Sequence, residues 1–196
     1  MARIGVLALQ GAFAAHAEKL VALGVDVVEV RRPEHLRDLD GLVLPGGEST
    51  TMSNLLESSG LAKPLTAAIE AGLAVFGTCA GMILLSSRIL DGRDDQISFS
   101  AIDATVRRNA YGRQVDSFEC DLEVTSLDSP FHAVFIRAPA IEELGSDVEV
   151  LSSWNDAPVL IRSGRIMAAS FHPELTPDSR IHRLFLDLVE SQLAVR

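Results

Sequence analysis

Short, uninterrupted apolar runs are the dominant pattern in the first half of the chain. They cover residues 3–9, 25–30, 42–44 and 73–76. Continuous apolar character is typical of parallel strands that are buried on both faces. Between the runs, residues 12–23, 51–58 and 61–71 carry apolar side chains at helical spacing. The pattern predicts alternating strands and helices, which is the doubly wound α/β arrangement.

The pattern changes after a polar, turn-rich cluster at residues 91–95. Strands are predicted from there on, at residues 98–108, 114–125, 131–137, 148–154, 157–161 and 166–171. Asn155 and Asp156 predict a hairpin between two of them. A last helix is predicted to start near Pro177, since apolar side chains then recur at helical spacing. We therefore expect one α/β domain over residues 1–196, with three layers: a mostly parallel central sheet flanked by helices, and an additional antiparallel or mixed strand section.

Charge and cysteine content narrow the class of partner. Lys and Arg number 17 against 27 Asp and Glu, a formal charge of −10, which argues against nucleic acid and against an anionic membrane surface. Two cysteines are too few for a disulfide framework. No apolar run reaches the roughly 18 residues of a membrane span, and the N-terminus shows no signal-peptide pattern. We expect a cytoplasmic protein that acts on a small molecule or another protein.

Cys79 lies at the centre of the sequence GTCAG, between a predicted buried strand and a helical run at residues 82–86. A nucleophile in a strand–turn–helix of this kind has a strained backbone, and the flanking glycines let strand and helix approach each other. Amides at the start of the helix favour the thiolate, which is the attacking species. The motif indicates a cysteine nucleophile. The alternative is a small buried cysteine in an ordinary α/β turn.

His172 is the candidate base for such a nucleophile. It follows the apolar strand at residues 166–171, and the ends of parallel strands are where α/β sites assemble. Glu174 is two residues further on, a spacing that puts both side chains on one side of an extended chain, so that the carboxylate can orient the imidazole. The other four histidines are poorer candidates: His16 and His182 fall in predicted helices, and His35 and His132 lie near polar turns.

Two further features have less specific interpretations. Cys120 lies in an alternating strand without a glycine turn, so a structural role is expected. The loop PGGEST at residues 45–50 lacks the lysine of a phosphate-binding loop and the spacing of a dinucleotide site. Gly47 N–H and Ala80 N–H could instead form an oxyanion site for acyl transfer, with a simple tight turn as the alternative. Neither a metal nor a cofactor is expected.

Together these motifs resemble the class I, triad-type glutamine amidotransferases, in order and separation over essentially the whole chain. Within that family the similarity is greatest to the branch of glutaminase subunits that serve pyridoxal 5′-phosphate synthases. The sequences that carry it are LALQG at residues 7–11, PGGEST at 45–50, GTCAG at 77–81, FHPE at 171–174 and RNAYGRQ at 108–114. Tyr111 stands where the branch usually has Phe, a change that keeps the aromatic ring.

The resemblance implies a flavodoxin-like α/β fold and a reaction. Cys79 would attack the amide carbon of L-glutamine, His172 would shuttle the proton and Glu174 would orient it, releasing ammonia and then glutamate without a cofactor. Glutamine-binding residues are carried over by motif position as Gly46, Gly47, Glu48, Arg108, Ile136 and Arg137. The two arginines suit the α-carboxylate, since Arg offers paired donors, and Glu48 suits the α-ammonium.

The resemblance also implies a partner, because the chain has no residues left for a domain that uses ammonia. A separate synthase subunit would take the ammonia and build pyridoxal phosphate from ribose 5-phosphate and glyceraldehyde 3-phosphate. Gln10 and Gly11 end the first strand near the site, and part of the partner contact or of the oxyanion control is predicted there.

Two other functions remain open. One is a glutaminase for another ammonia-using pathway, such as imidazole glycerol phosphate synthesis, against which the sequence at residues 108–114 argues. The other is a non-enzymatic, stress-related α/β protein whose elbow cysteine senses oxidation, against which the His172-Pro173-Glu174 sequence argues.

Overall fold

The computed structural model describes residues 1–108 and 117–193. Its helices are α1 (Phe13–Ala22), α2 (Ser49–Ser58), α3 (Ala62–Glu70), α4 (Ala80–Leu85) and α5 (Arg180–Leu193). Its strands are β1 (Arg3–Leu7), β2 (Asp26–Val30), β3 (Gly41–Leu44), β4 (Ala74–Thr78), β5 (Ser86–Leu90), β6 (Ile102–Arg107), β7 (Ser117–Leu122), β8 (Phe131–Ile136), β9 (Ala140–Leu144), β10 (Glu149–Trp154), β11 (Ala157–Ser163) and β12 (Ile166–Ala169). Two 3-10 turns cover Pro33–Leu36 and Pro173–Leu175.

A seven-stranded sheet forms the centre, in the order β10-β11-β12-β4-β3-β1-β2. The neighbouring pairs from β12 to β2 are parallel, while β10, β11 and β12 pair antiparallel. Strands β3 and β4 are buried along their whole length, as their uninterrupted apolar sequences predict. The carboxyl ends of β1, β3, β4 and β12 therefore meet at one edge of the sheet.

Apolar side chains cover both faces of this sheet. On one face, Leu20 of α1, Phe185 of α5 and Phe131 of β8 join the core. On the other face, Met52 of α2 and Leu65 of α3 pack with residues of α4. The predicted three-layer, mostly parallel fold class is confirmed.

The additional strands form two small sheets, of order β5-β6-β9 and β7-β8. The predicted hairpin between β10 and β11 is also present, with Asn155 and Asp156 both at positive φ (49° and 63°). Two successive residues at positive φ match the right-handed twist of the flanking strands, and Asn and Asp tolerate that conformation better than most residues.

Several predicted boundaries are wrong, and two strands are missing from the prediction. The last helix begins at Arg180 rather than near Pro177, because Asp178 Oδ1 accepts a hydrogen bond from Arg180 N–H (2.9 Å) ahead of the first turn. The strand predicted at 98–108 begins at Ile102, since Phe99 N–H instead donates to the carbonyl of Leu84 (2.7 Å). Strands β5 and β9 were not predicted, and their sequences SSRIL and AIEEL lack a clean apolar alternation. Residues 114–116 of another predicted strand lie outside the described residues.

No helix in the described part of the chain is long and apolar enough to cross a membrane.

Candidate active site

Cys79 lies at the turn between β4 and α4 with φ 49° and ψ −103°, a backbone conformation that few residues other than glycine adopt. Its N–H donates to the carbonyl of Ala169 in β12 (2.8 Å), which ties the turn to the neighbouring strand. Strained backbone of this kind persists only where the surrounding structure enforces it, and it is common at reactive groups. The structure therefore has the strand–turn–helix arrangement predicted for a nucleophile.

The two glycines beside Cys79 permit a close approach of backbone to backbone. A Cβ atom on Gly81 would lie 2.1 Å from the carbonyl oxygen of Leu44, and one on Gly77 would lie 2.6 Å from the carbonyl carbon of Gly81. Both distances are far below van der Waals contact. Helix α4 consequently packs directly on the ends of β3 and β4, which sets the height of Cys79 above the sheet.

His172 and Glu174 lie at the end of β12, next to this turn. His172 N–H donates to the carbonyl of Val134 (2.8 Å), and its ring Nδ1 lies 2.7 Å from Glu174 Oε1. The Cys79 side chain lies beside the same ring, since both line one cleft and both contact the position that a Cβ on Gly46 would take. Cys79, His172 and Glu174 are all buried. The structure thus brings the three predicted catalytic residues into one connected group.

The charge state of His172 reflects these contacts. Burial of the ring lowers its pKa, but the interactions with the Cys79 thiol and the Glu174 carboxylate, and the negative charge on both, raise the pKa to about 10. Attraction to a nearby anion favours the protonated imidazole. The ring is therefore suited to holding a proton taken from the thiol.

A cleft of about 330 Å³ opens beside Cys79 and His172. Its other lining residues include five of the six predicted glutamine-binding residues, together with two that the sequence did not single out: Gly47, Glu48, Arg108, Ile136 and Arg137, and then Ser49 and Ile83. The five predicted residues come from three separate segments of the sequence. The first segment follows β3 of the central sheet, the second follows β6 and the third ends β8, so the packing of the two small sheets beside the central sheet brings them together.

Glu48 and Arg108 are paired across this cleft. Arg108 Nη2 donates to Glu48 Oε1 (2.9 Å), while the Glu48 side chain also accepts from Thr50 N–H (3.0 Å) and Thr51 N–H (2.7 Å) at the start of α2. Burial raises the pKa of Glu48, but the hydrogen bonds from Thr51 and Thr50 and the charge of Arg108 hold it below its ordinary value. The pairing presents the Arg108 guanidinium to the cleft.

The sixth predicted residue, Gly46, lies against the catalytic group. A Cβ on Gly46 would be 2.4 Å from His172 Cε1 and 3.4 Å from the Cβ of Cys79. Its carbonyl accepts from Ala12 N–H (3.3 Å), so the N–H of Gly47, on the same trans peptide, points in the opposite direction. Gly46 is the residue that lets the loop pack on the histidine ring.

Gln10 and Gly11, the predicted partner contact, lie directly beneath this loop. Gln10 Oε1 accepts from Glu48 N–H (3.2 Å), and it occupies the space where a Gly47 side chain would be, 2.3 Å from that Cβ position. A Cβ on Gly11 would lie 1.8 Å from the carbonyl oxygen of Gly46. The end of β1 and the loop after β3 are therefore packed as one unit.

Four further Cys and His side chains lie outside the triad and differ in how deeply they are buried. Cys120 lies on β7, and burial and the charge of Asp121 raise the pKa of its thiol, which disfavours the reactive thiolate. His132 is exposed on β8. His16 and His182, which their sequence positions made poor candidates for the base, are instead fully buried, and His16 Nε2 lies 3.3 Å from Glu174 Oε2.

A signal for His16 was available in the sequence. It lies three residues after Phe13 and four before Leu20, on the apolar face of α1, where a polar side chain is unusual and normally has a specific partner. Which partner it has cannot be read from that pattern.

One sequence motif is only partly placed by the structure. Residues 109–114 of the RNAYGRQ motif, including Tyr111, lie outside the described residues. Within residues 1–108 and 117–193, no cluster of three or more His, Cys, Asp or Glu side chains could hold a metal ion.

Comparison with known proteins agrees with the resemblance that the sequence motifs indicate. A pyridoxal 5′-phosphate synthase subunit PdxT from Mycobacteroides abscessus is 57% identical over 188 residues, 96% of this chain and 97% of that protein. The same subunit from Thermosipho africanus is 52% identical over 188 residues, 96% of this chain and 99% of that protein. A solved structure described as the crystal structure of glutamine amidotransferase matches with a TM-score of 0.90 at 51% identity, covering 95% of this chain and 98% of that one.

The solved structure defines the class, which is that of the α/β glutamine amidotransferases. The model of the SNO glutamine amidotransferase family matches residues 6–191. This chain belongs to that family.

Gly81→Ala should destabilise the protein by about 2–3 kcal/mol, because the new methyl group overlaps the carbonyl of Leu44. Gly60→Ala is the matched control: Gly60 has φ 72°, but no atom lies within 4 Å of the place its new methyl group would take, so only the backbone cost of about 1 kcal/mol applies. Urea unfolding of both variants measures the difference. Equal losses would contradict a packing role for Gly81.

Acid should destabilise the protein through the buried histidines. Burial, and after it the charge of Lys19, lower the pKa of His182 to about 4, and burial likewise lowers the pKa of His16. Below about pH 6.5 these histidines bind protons in the unfolded chain but stay neutral in the folded chain. The free energy of unfolding therefore falls as the pH drops toward 4, by up to about 1.4 kcal/mol per pH unit for each histidine.

Urea unfolding between pH 7 and pH 4 tests this, with His182→Gln expected to show a shallower loss. His132→Gln serves as the control, because hydrogen bonds to Asp121 and Glu119 raise the pKa of that exposed histidine and cannot cause an acid loss. An unchanged slope in His182→Gln would rule out His182 as a cause of the acid loss.

Proposed function

We propose that this chain is the glutaminase subunit of a pyridoxal 5′-phosphate synthase, hydrolysing L-glutamine to L-glutamate and ammonia. The observation that carries the proposal is the strained Cys79, beside a histidine that a buried carboxylate orients, in a cleft with two arginines. The PdxT relatives support the choice of pathway among the possible ammonia-using reactions.

In this proposal the reaction has two halves. His172 holds the proton taken from the thiol of Cys79, and the thiolate sulfur attacks the amide carbon of the glutamine side chain. His172 then gives this proton to the leaving nitrogen, so ammonia departs and a thioester remains. Water, losing a proton to His172, attacks the thioester, and glutamate leaves as the thiol is restored. Glu174 keeps the ring oriented and stabilises its cationic form throughout.

Backbone N–H groups are assigned to stabilise the negative charge that develops during the reaction. We assign Gly47 N–H and Ala80 N–H to the oxyanion that forms on the amide oxygen, because both belong to the two turns that meet at Cys79. Backbone donors of this kind are worth about 10²–10³ in rate, since they are fixed before the reaction begins. The acyl oxygen would lie between the glycine loop and the first turn of α4.

Substrate recognition is assigned to the charged walls of the cleft. Arg108 and Arg137 suit the α-carboxylate of glutamine, and Glu48 suits its α-ammonium while also holding Arg108 in place. Ile136 supports the aliphatic part of the substrate, the backbone of Gly47 lines the same cleft, and Gly46 lets this loop pack against His172. This assignment explains the choice of an amino acid amide over a simple amide.

A synthase subunit is the proposed partner, because the PdxT relatives are named as subunits of a synthase. We place part of the contact at Gln10 and Gly11. Gln10 touches both Gly47 and Glu48, so a partner that moves its side chain acts directly on the loop over Cys79.

A thiol nucleophile needs a reducing compartment, from which we infer that the complex works in the cytoplasm.

Cys79→Ala should abolish glutamate release from glutamine, because the proposed thioester forms on its sulfur. A coupled glutamate assay, with and without a candidate synthase subunit, measures this, and the wild-type rate should be higher with the synthase present. Cys120→Ala is the matched control and should keep the wild-type rate, since its thiol lies on β7. Glutamate release by Cys79→Ala at the wild-type rate would refute the proposal.

Arg108→Gln should raise KM for glutamine about tenfold or more with a smaller effect on kcat, because it removes a charged contact to the substrate carboxylate. Arg107→Gln is the neighbouring control: its guanidinium pairs with Asp91 and Glu142 (2.8 and 2.7 Å), not with Glu48. Steady-state kinetics in the presence of the synthase distinguish the two. Equal KM values for both variants would remove Arg108 from the binding site.

A further inference from the structure

Two buried histidines lie next to the proposed triad without a role in the mechanism described above. His16 belongs to α1 and His182 to α5, and both side chains are completely buried. Neither lines the glutamine cleft. Their ring nitrogens are linked, with His16 Nδ1 2.9 Å from His182 Nε2. An imidazole pair in an apolar core is costly unless its polar atoms have partners.

The pair contacts the catalytic group through Glu174. His16 Nε2 lies 3.3 Å from Glu174 Oε2 and 3.2 Å from Thr78 Oγ1, while the other carboxylate oxygen, Oε1, is 2.7 Å from His172 Nδ1. Glu174 therefore lies between two imidazoles. Among the described residues, Oε2 has no directional hydrogen bond, and the edge of His16 is the polar group beside it.

The hydrogen-bond partners select one tautomer for each ring. If His16 carried its proton on Nδ1, its Nε2 lone pair would face the negatively charged Oε2, and His182 would have a buried Nδ1–H without an acceptor among the described residues. With the protons on Nε2 of both rings, His182 donates to His16, and His16 presents N–H to Thr78 and Glu174. The unpaired atom is then a bare lone pair on His182 Nδ1, which costs less than a charged or donating group.

We propose that His16 is a positioning residue for the triad, presenting a neutral Nε2–H edge to Glu174 so that the opposite carboxylate oxygen stays directed at His172, with His182 setting the tautomer of His16. This inference rests on the proposed glutaminase function. It assigns no chemical step to either histidine, since neither touches the cleft in which glutamine would react.

Neutrality is the property that makes His16 suitable. A positively charged neighbour would compete with the imidazolium of His172 for the charge of Glu174, whereas an N–H dipole restrains the carboxylate and leaves its charge available. The surroundings of the pair favour this neutral state. Burial first, and then the repulsion that a proton on His16 would meet from a protonated His182 or His172, lower the pKa of His16, while burial and the charge of Lys19 lower the pKa of His182.

The kinetic experiment compares three variants in the complex with the synthase. In His16→Leu/His182→Leu both ends of the bond between the two rings become apolar, so neither ring leaves the other unpaired, while Thr78 Oγ1 and Glu174 Oε2 lose the N–H of His16. We expect kcat for glutamine hydrolysis to fall about tenfold or more, the size typical for removing an outer orienting group, with KM unchanged. His182→Leu alone, which keeps the His16 ring beside Glu174, should lose less. His16→Gln, which retains an amide N–H, should recover much of the rate.

Controls separate this proposal from the function on which it rests. His132→Gln, on the exposed side of β8, should behave as the wild type. If the wild-type complex releases no glutamate, the proposed function fails; if the wild type is active and the double leucine variant has the same kcat, the positioning role fails. A double variant that loses rate without recovery in His16→Gln would also overturn it, because the effect would then follow packing rather than the N–H group.

A spectroscopic test needs no variant to fold. The chain has five histidines, so ¹⁵N-labelled imidazoles give a spectrum that can be assigned residue by residue. We expect two rings to remain neutral Nε2–H tautomers from pH 8 to pH 5, and to be assigned to His16 and His182. A His16 ring that is protonated on Nδ1, or that becomes charged near its ordinary pKa, would contradict the proposal.

Discussion

The contact of helix α4 with the ends of β3 and β4 is the constraint on which the rest of the site depends. Gly77 and Gly81 remove the side chains that would separate these backbones, and Cys79 between them is forced to positive φ. The thiol is thus directed by backbone packing rather than by its own contacts. Any widening of this contact would move the sulfur relative to His172, whose own position is set by bonds to another strand.

A second layer of close packing connects this turn to the loop after β3. Gly46 lies against the ring of His172, Gly11 lies against the carbonyl of Gly46, and Gln10 bonds to the backbone of Glu48. Loop, triad and the end of β1 therefore cannot move independently. In the proposed complex, a partner that moves Gln10 would therefore also move the loop that lines the cleft, without a change in the central sheet.

The buried polar group behind the triad differs from these close backbone contacts. Glu174, His16 and His182 lie in an apolar interior, where burial lowers the pKa of both histidines, and hydrogen bonds join His16 to His182 and Glu174 to His172. Such a group lowers the stability of the fold in acid. An orienting carboxylate with little freedom is what a histidine needs if it is to take and return a proton at the same place in each turnover.

The sequence by itself determined the elements whose signals are local. Uninterrupted apolar runs predicted β3 and β4, the pair Asn155 and Asp156 predicted the hairpin, and the glycines around Cys79 predicted its turn, because burial on both faces and positive φ each restrict the residue types allowed. It did not predict β5 and β9, whose polar sequences become strands only by pairing with β6. Nor did it predict the contact between His16 and His182, which are 166 residues apart. That contact depends on the packing of α1 and α5 on the same face of the sheet. The apolar periodicity of a helix shows which of its faces is buried, but not which other helix packs beside it.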